Sequence, residues 1–322
     1  MNPTLHPFKS VAYAGRAPGP RLIVTGAVHG NEVCGQIALQ RLIEAIDRGE
    51  IVIARGHLTL VPVTNPLAFH QGTRNGDRNL NRALGPAAIP REFEDHVANW
   101  LCPLLSAHDA LLDLHSFNAQ GKPFVMVGPR DNRGGVEPFS RARTEEAWVR
   151  VLGVDRAVDG WLSTYARGVA RRREEAGGLA GTLDLNPNYG VGTTEYMRSR
   201  GGCALTLECG QHRDPQAPEV AWQAVRRSLA FFGLTDEPSP APVEQIESLT
   251  LHEVIDKRHP DDRFAREWQS FDALAAGDLI GVRQDGQEVR APGAGRILFP
   301  NAAASARQEW FYLAQPSQRF SA

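Results

Sequence analysis

The sequence predicts an α/β fold: a largely parallel sheet covered by helices, followed by a small all-β region. Two observations carry the first part. Short apolar runs that stop at glycine, proline or polar residues alternate with longer stretches whose apolar residues recur at helical spacing. The runs read as strands buried on both faces, the pattern of a parallel sheet between helical layers. The second part rests on a change of composition. TDEPSPAPVEQ, from Thr235 to Gln245, carries three prolines and reads as a linker. Behind it come only short strand-like runs, punctuated by DG and PG dipeptides.

RLIVTGA, from Arg21 to Ala27, is a short apolar run ending near glycine and predicts a buried strand. Asn31 is placed to cap a helix, and Val33, Ile37, Leu39, Leu42 and Ile46 form its apolar stripe within Glu32 to Arg48. HLTLVPVTNP predicts a second strand, stopped by Asn65-Pro66. The polar loop HQGTRNGDRNLNR comes next, then a helix over Arg91 to Ser106. DALLDLHSF, from Asp109 to Phe117, and PFVMVG are the next strands, with helical segments between Val136 and Arg173. The run RRREE, from Arg171 to Glu175, reads as the solvated face of a helix. CALTLECG, from Cys203 to Gly210, is another central strand, and Ala217 to Gly233 an amphipathic helix closed by glycine. ESLTLHEVID, DLIGVR, QEVRA and GRILFP make up the C-terminal region. The expected organisation is residues 1–234, a linker at 235–245, and a β domain over 246–322.

With 42% hydrophobic and 22% charged residues in 322, the chain can bury a full core. A net charge of -2 favours neither nucleic acid nor an acidic membrane surface. Four cysteines without a CxxC pair do not make a disulfide framework. No run of about 18 apolar residues predicts a membrane span, and MNPTLHPFKS lacks the basic and apolar regions of a signal peptide. The expectation is a cytoplasmic protein with a small-molecule partner and no nucleic acid or membrane partner. The sequence leaves room for a homo-oligomer.

Polar residues recur at strand ends. His29 and Glu32 follow the first strand, His115 ends the third, and Glu208 ends the last core strand. Open α/β sheets bind ligands beyond the carboxyl ends of their strands, so these four can meet. Two histidines and a carboxylate form a catalytic zinc set with a position left for water. Gly30 would let the chain turn so that His29 and Glu32 face one ion. Such an ion acidifies water and polarises a carbonyl. A second carboxylate, Glu208, would then move the water's proton to a leaving nitrogen. Each residue has a plainer reading on its own: an HxxE arising by chance, a satisfied strand-end histidine, a glutamate capping a loop. Together the plain readings weaken, because all would fall idle at one sheet edge. The loop TRNGDRNLNR adds Arg74, Asn81 and Arg82; an arginine fork suits a carboxylate. Arg78 reads instead as a solvated loop residue.

HGNE, NP…TR…NLNR, DLH and LECG, in that order, resemble the succinylglutamate desuccinylase and aspartoacylase family, within the wider zinc carboxypeptidase-like fold. The resemblance implies a mixed α/β sheet followed by a small β domain that narrows the site. It implies one zinc ion held by His29, Glu32 and His115, with Glu208 as general base and acid. Arg74 would polarise the scissile carbonyl, and Asn81 and Arg82 would hold a substrate carboxylate. The implied reaction is hydrolysis of an N-acyl amide, a linear non-peptide C–N bond. Two departures stand out. Asn79 occupies the place of the aspartate in the family's DLNR, and ECGQH replaces a Gly-Pro stretch. Arg198 and Arg213 are the candidates for a second carboxylate contact, and Asp113 reads either as a partner of a ligating histidine or as a strand residue facing a loop. Glu195 and Tyr196 either line the pocket or start a helix capped by Thr194. His212 follows Glu208 closely and either touches substrate or, the plainer reading, is a surface residue; Cys34 and Cys209 read as small buried ones. The region GVRQDGQEVRAPGAGRILFP is similar to the hairpin of biotinyl and lipoyl carriers but has no lysine at the turn. It suits a lid better than a swinging arm. A metallocarboxypeptidase and a non-catalytic zinc- or ligand-binding protein are the competing readings. His and carboxylate ligands also suit cobalt and nickel.

Overall fold

A computed structural model of the chain describes residues 7–175 and 187–321. Its frame is an eleven-stranded mixed sheet. The centre is parallel: β3 (Arg55–Val61), β2 (Ala17–Thr25), β4 (Ala110–Phe117) and β7 (Cys203–Gln211) lie side by side in that order. β1 (Val11–Ala14) closes one edge, antiparallel to β3. On the other side β5 (Phe124–Val127) runs antiparallel to β7, and β6 (Arg156–Asp159) parallel to β5. β6 lies where only helices were expected. Its four residues are too short a run to stand out among the helical stretches around it.

The sheet does not stop at the proline-rich stretch. β8 (Glu247–Asp256) pairs parallel with β6, and β14 (Glu309–Pro316), β13 (Gly295–Leu298) and β10 (Ala273–Leu274) continue it antiparallel. Three short strands, β9 (Arg263–Phe264), β11 (Leu279–Val282) and β12 (Glu288–Arg290), form a separate small sheet. β14, not expected from the sequence, is a run of aromatic and aliphatic residues, WFYLA, buried from Trp310 to Ala314.

Helices cover both faces. α1 (Cys34–Asp47), α4 (Ala142–Leu152) and α7 (Ala217–Phe231) pack Leu39, Leu42, Trp148 and Leu229 against Leu112, Leu114, Leu205 and Leu207. α3 (Phe93–Ser106) and α6 (Thr193–Ser199) pack Val97, Leu101 and Met197 against Ile23, Leu111 and Ala204 on the opposite face. Side chains alternate along a strand. Asp113 and His115 therefore share the face of Leu111, and Glu208 the face of Ala204. The polar strand ends all look to the α3/α6 side.

Several local expectations change. Asn31 does not cap α1, whose N-cap is Val33 with no side-chain cap bond. Asn31 lies two residues too early, and its Oδ1 is buried without a partner. Asn65-Pro66 stops a strand and also starts α2 (Pro66–Gln71), with Asn65 accepting from the Ala68 N–H and proline at the first turn. α5 (Trp161–Glu175) carries the RRREE run, but Arg171 and Arg172 turn inward. Arg172 forks onto Asp256 at 2.6 and 2.7 Å, and Arg171 reaches Glu253. The neighbouring strand β8 supplies these acids, which the local sequence could not reveal.

Candidate active site

The loop after β2 brings His29 and Glu32 together by a tight turn, in which the Glu32 N–H donates to the His29 carbonyl at 3.1 Å. Ala27, just before it, holds a left-handed φ of 46°, a strained choice for a residue with a Cβ. Gly30 is needed for a reason other than its own turn. A Cβ there would sit 2.0 Å from the Ala68 carbonyl carbon, so the glycine lets the loop lie on the backbone of α2.

Glu32 is the hub. Its Oε1 lies 2.9 Å from His29 Nδ1, and its Oε2 lies 2.8 Å from His115 Nδ1. The ligand atoms of His29, Glu32 and His115 fall within 4.8 Å of one another, all three buried. The far nitrogens are held from behind. His29 Nε2 meets Asn79 Oδ1 at 3.0 Å, and His115 Nε2 meets Asp113 Oδ2 at 2.8 Å. Asp113 also accepts from the hydroxyls of Thr25 and Thr193. This outer layer holds each ring by Nε2 and leaves Nδ1 pointing inward, and a ligating histidine has such a partner on its far nitrogen.

The electrostatics agree with a metal site. Burial lowers His29 to about 4, so its imidazole is neutral and its Nδ1 carries a lone pair. That Nδ1 is buried with no hydrogen-bond partner, despite its closeness to Glu32. Burial works against an ionised Glu32, but the two imidazoles outweigh it and hold the carboxyl well below its ordinary value. Burial also opposes a charged His115, yet Asp113 and Glu32 hold its proton on. His115 must shed that proton to become a ligand. An orphaned, neutral imidazole nitrogen beside a carboxylate and a second oriented imidazole is a donor set that fits a divalent ion.

Glu208 stands beside the cluster as the register partner of His115. Burial pushes its carboxyl up to about 8, and its Oε2 has no partner. Arg74 is half exposed and donates from Nη1 to Glu32 Oε1 at 2.7 Å. Asn81 accepts the Thr193 N–H at 2.9 Å, tying the loop to α6. Arg82 is buried, with Nη1 on the Asn81 carbonyl at 2.9 Å and Nη2 on Glu309 Oε1 at 3.4 Å. All seven residues line one cavity of about 1060 Å³.

Residues 18–122 match the family model described as the succinylglutamate desuccinylase/aspartoacylase catalytic domain. Over that stretch the chain is similar to the succinylglutamate desuccinylase/aspartoacylase family. A succinylglutamate desuccinylase from Shewanella sp. (strain MR-4) is 23% identical over 310 residues, 89% of this chain and 80% of that protein. An N-alpha-acetyl-L-2,4-diaminobutyric acid deacetylase from Halomonas elongata is 33% identical over 112 residues, 33% of this chain and only 31% of that protein. The crystal structure of a succinylglutamate desuccinylase/aspartoacylase from Rhodobacter sphaeroides superposes with a TM-score of 0.70 at 17% identity, covering 96% of this chain and 89% of that one. At that identity the likeness speaks for the fold.

Several placements differ from the sequence reading or go beyond it. Asn79, the departure from DLNR, is the residue that holds His29 from behind. Arg78 is no solvated loop residue: it clamps Glu92 and Asp95 at 3.2 and 2.9 Å. His212 is part of the cavity wall, with Nδ1 2.8 Å from Ser116 Oγ. Arg198 is buried among Glu137, Glu145 and Glu195, and Arg213 is exposed. Glu195 lines the cavity and accepts the Gly192 N–H at the start of α6, while Tyr196 packs in the core. The N-cap is Gly192, not Thr194. The C-terminal region also lines the cavity through Phe299, Glu309 and Tyr312. Phe299 lies in the stretch read as a lid, whereas no sequence motif marked Glu309 and Tyr312, whose role depends on the sheet continuing past β6.

Proposed function

We propose that this chain is a zinc-dependent hydrolase of linear amides that removes the acyl group from an N-acyl amino acid or a similar small N-acyl amine. One observation supports it most: three buried ligand groups, His29, Glu32 and His115, beside a second carboxyl, Glu208, that the metal does not need. His29 Nδ1, His115 Nδ1 and the Glu32 carboxylate would hold the ion. Bound there, zinc supplies Lewis acidity towards water and towards a substrate carbonyl. Glu208 takes the proton from the attacking water and delivers it to the departing nitrogen. Burial pushes this carboxyl up to about 8 without the ion, and a dication held beside it would favour the ionised form, bringing it into the range where it can accept and return a proton near neutral pH. Arg74 keeps one N–H on Glu32, and its remaining donors serve the oxygen that gains charge in the transition state. Asn81 positions the loop that presents Arg82, whose guanidinium faces the amine side of the substrate.

The test is direct. Zinc-loaded protein is incubated with N-acyl amino acids and with short peptides, and free amine is followed. Turnover of the N-acyl amino acids that disappears in Glu208→Ala, with bound metal unchanged, is the expected result. Cleavage of peptides alone would replace this reading with a carboxypeptidase. Full metal occupancy without any turnover would replace it with a binding protein.

A further inference from the structure

His212 is a wall residue to which the amide-hydrolase reading gives no task. It stands just beyond the end of β7, in the ECGQH stretch that also holds Glu208. The ends of β4 and β7 are tied together there. The His212 N–H donates to the Phe117 carbonyl at 3.0 Å, and Gln211 Nε2 donates to the Asn118 carbonyl at 3.2 Å. The ring is held too, with Nδ1 2.8 Å from Ser116 Oγ. Ser116 is buried, and among the described residues its hydroxyl has no acceptor but that nitrogen. The hydroxyl therefore donates and Nδ1 accepts. Burial lowers the pKa of the imidazole, so at neutral pH the ring is uncharged and carries its one N–H on Nε2. Among the described residues Nε2 has no hydrogen-bond partner, and the ring lines the cavity. A fixed donor is left with nothing to hold.

Its place along β7 tells which half of a substrate it meets. α6 packs at the start of that strand, where Arg198 donates to the Ala204 carbonyl at 2.7 Å. The Thr193 N–H at the head of α6 donates to Asn81 Oδ1, which ties Asn81 and Arg82 to the same end. Ala204 lies before Glu208 on the strand and His212 after it. Strands rise about 3.3 Å per residue, so the two ends stand apart with the acid–base group between them. The charges that act on the His212 ring are those of Glu32, Arg74, His115 and Arg213; the first three surround the place of the scissile carbonyl. A substrate with its amine half towards Asn81 and Arg82 therefore runs its acyl half towards Ser116 and His212. Phe117, whose carbonyl holds the His212 backbone, also lines the cavity and offers the acyl carbons an apolar surface.

We propose that His212 is a specificity-determining residue whose Nε2–H binds an oxygen on the acyl half, so that N-hydroxyacyl substrates are favoured over N-alkanoyl substrates of the same shape. The inference deepens the amide-hydrolase reading and rests on it. Ser116 is the positioning residue that aims the donor. One neutral N–H is answered by one neutral acceptor, and a hydroxyl on the acyl chain is the smallest group that supplies it. An alkanoyl chain in the same place would cover Nε2 and leave it without water or partner, the unfavourable outcome for any polar group.

The experiment uses zinc-loaded protein and a single amino acid as the amine half, the one released fastest from its N-acetyl form. It compares two isosteric pairs: N-glycolyl with N-propionyl, and N-β-hydroxybutyryl with N-isovaleryl. In the wild type the hydroxyacyl member of at least one pair should be favoured about three- to tenfold in kcat/KM, the scale of one hydrogen bond. In His212→Phe, which fills the space without a donor, that ratio should fall to one or below. His212→Gln keeps an N–H donor and should recover part of it. Ser116→Ala frees the ring but leaves the backbone N–H of that residue on Glu32, and should lower the ratio. A ratio of one or less for both pairs in the wild type would overturn the proposal, even if no variant folded. So would a ratio that survives in His212→Phe, or an effect of that variant confined to N-succinyl substrates. If no N-acyl amine is turned over, the hydrolase reading fails, and the subsite is read by calorimetry with the free acids. Glycolate must then bind more tightly than propionate, or β-hydroxybutyrate more tightly than isovalerate, in the wild type and not in His212→Phe; equal binding overturns the inference.

Discussion

His115 and Glu208 are register partners across the parallel pair β4 and β7, and so project from adjacent strands to the same face of the sheet. Neighbouring strands lie about 4.8 Å apart. The candidate metal ligand and the candidate acid–base group are thus held side by side by backbone pairing, with no loop between them to blur the distance. Both strands are buried along nearly their whole length, which makes this part of the site rigid.

Glu208→Ala should lower kcat by about 10²- to 10⁴-fold, the usual contribution of a positioned acid–base group. Metal content should not change, since Glu208 is outside the ligand cluster. Atomic absorption on the purified variant, alongside its steady-state rate, checks both halves. Loss of metal together with activity would mean that Glu208 supports the ion instead of moving protons.

Glu208 also predicts how the metal-free protein responds to pH. Its folded value of about 8 lies above the ordinary 4.5, so the folded state binds the extra proton. Its contribution to stability is whole below about 4.5 and is lost as pH rises through about 8. Glu208→Gln is neutral throughout. The metal-free variant should therefore match the wild type in acid and melt at a higher temperature in alkali, by roughly 2 °C for each kcal/mol in a chain of this size. A constant difference across the range would disprove the buried, raised carboxyl.

Asp113→Asn tests the layer behind the metal. Asp113 holds His115 Nε2 at 2.8 Å and is anchored by the hydroxyls of Thr25 and Thr193. Removing its charge weakens the hold on the ring and lowers the basicity of the ligand. Metal affinity should drop about 10- to 100-fold, measured by competition with a chelator, while the fold persists. An unchanged affinity would show that the ring is fixed by Glu32 alone.

Much of this site was legible in the sequence, and the reason is local. His29, Glu32, His115 and Glu208 each end a buried apolar run, so the rule that ligands gather beyond strand ends locates them without a contact map. The partner Asn79 was visible only as a departure in NLNR. Its bond to His29 spans fifty residues of chain and depends on how the polar loop folds back. Glu309 and Tyr312 were invisible, because nothing in EWFYLAQP says that its strand joins the catalytic sheet through β8. The charge run RRREE misled for the same reason: Asp256, which pairs with Arg172, lies 84 residues away. Apolar periodicity announces burial, but long-range ion pairs leave no local pattern.

Arg198 carries the last prediction. It is buried and pairs with Glu145, Glu137 and Glu195 at 2.9, 3.0 and 3.3 Å, and it donates to the Ala204 carbonyl at 2.7 Å. Glu145 is further satisfied by the Gly128 and Ala204 N–H groups at 2.8 and 2.7 Å. One cation thus faces three acids, and burial already pushes Glu137 up to about 7 against the pull of Arg198. Arg198→Met fills the space and removes the charge, leaving the acids to repel one another in a dry wall. The loss should be about 3–5 kcal/mol near neutral pH, typical for one broken side of a buried pair. It should shrink as pH falls towards about 7, because without the pull of Arg198 the variant's Glu137 takes up its proton above the value of about 7 that it has in the wild type and so relieves the excess charge. Urea midpoints measured across that range decide the matter. A loss that does not depend on pH would mean that Arg198 acts through packing and its bond to Ala204, not through the three glutamates.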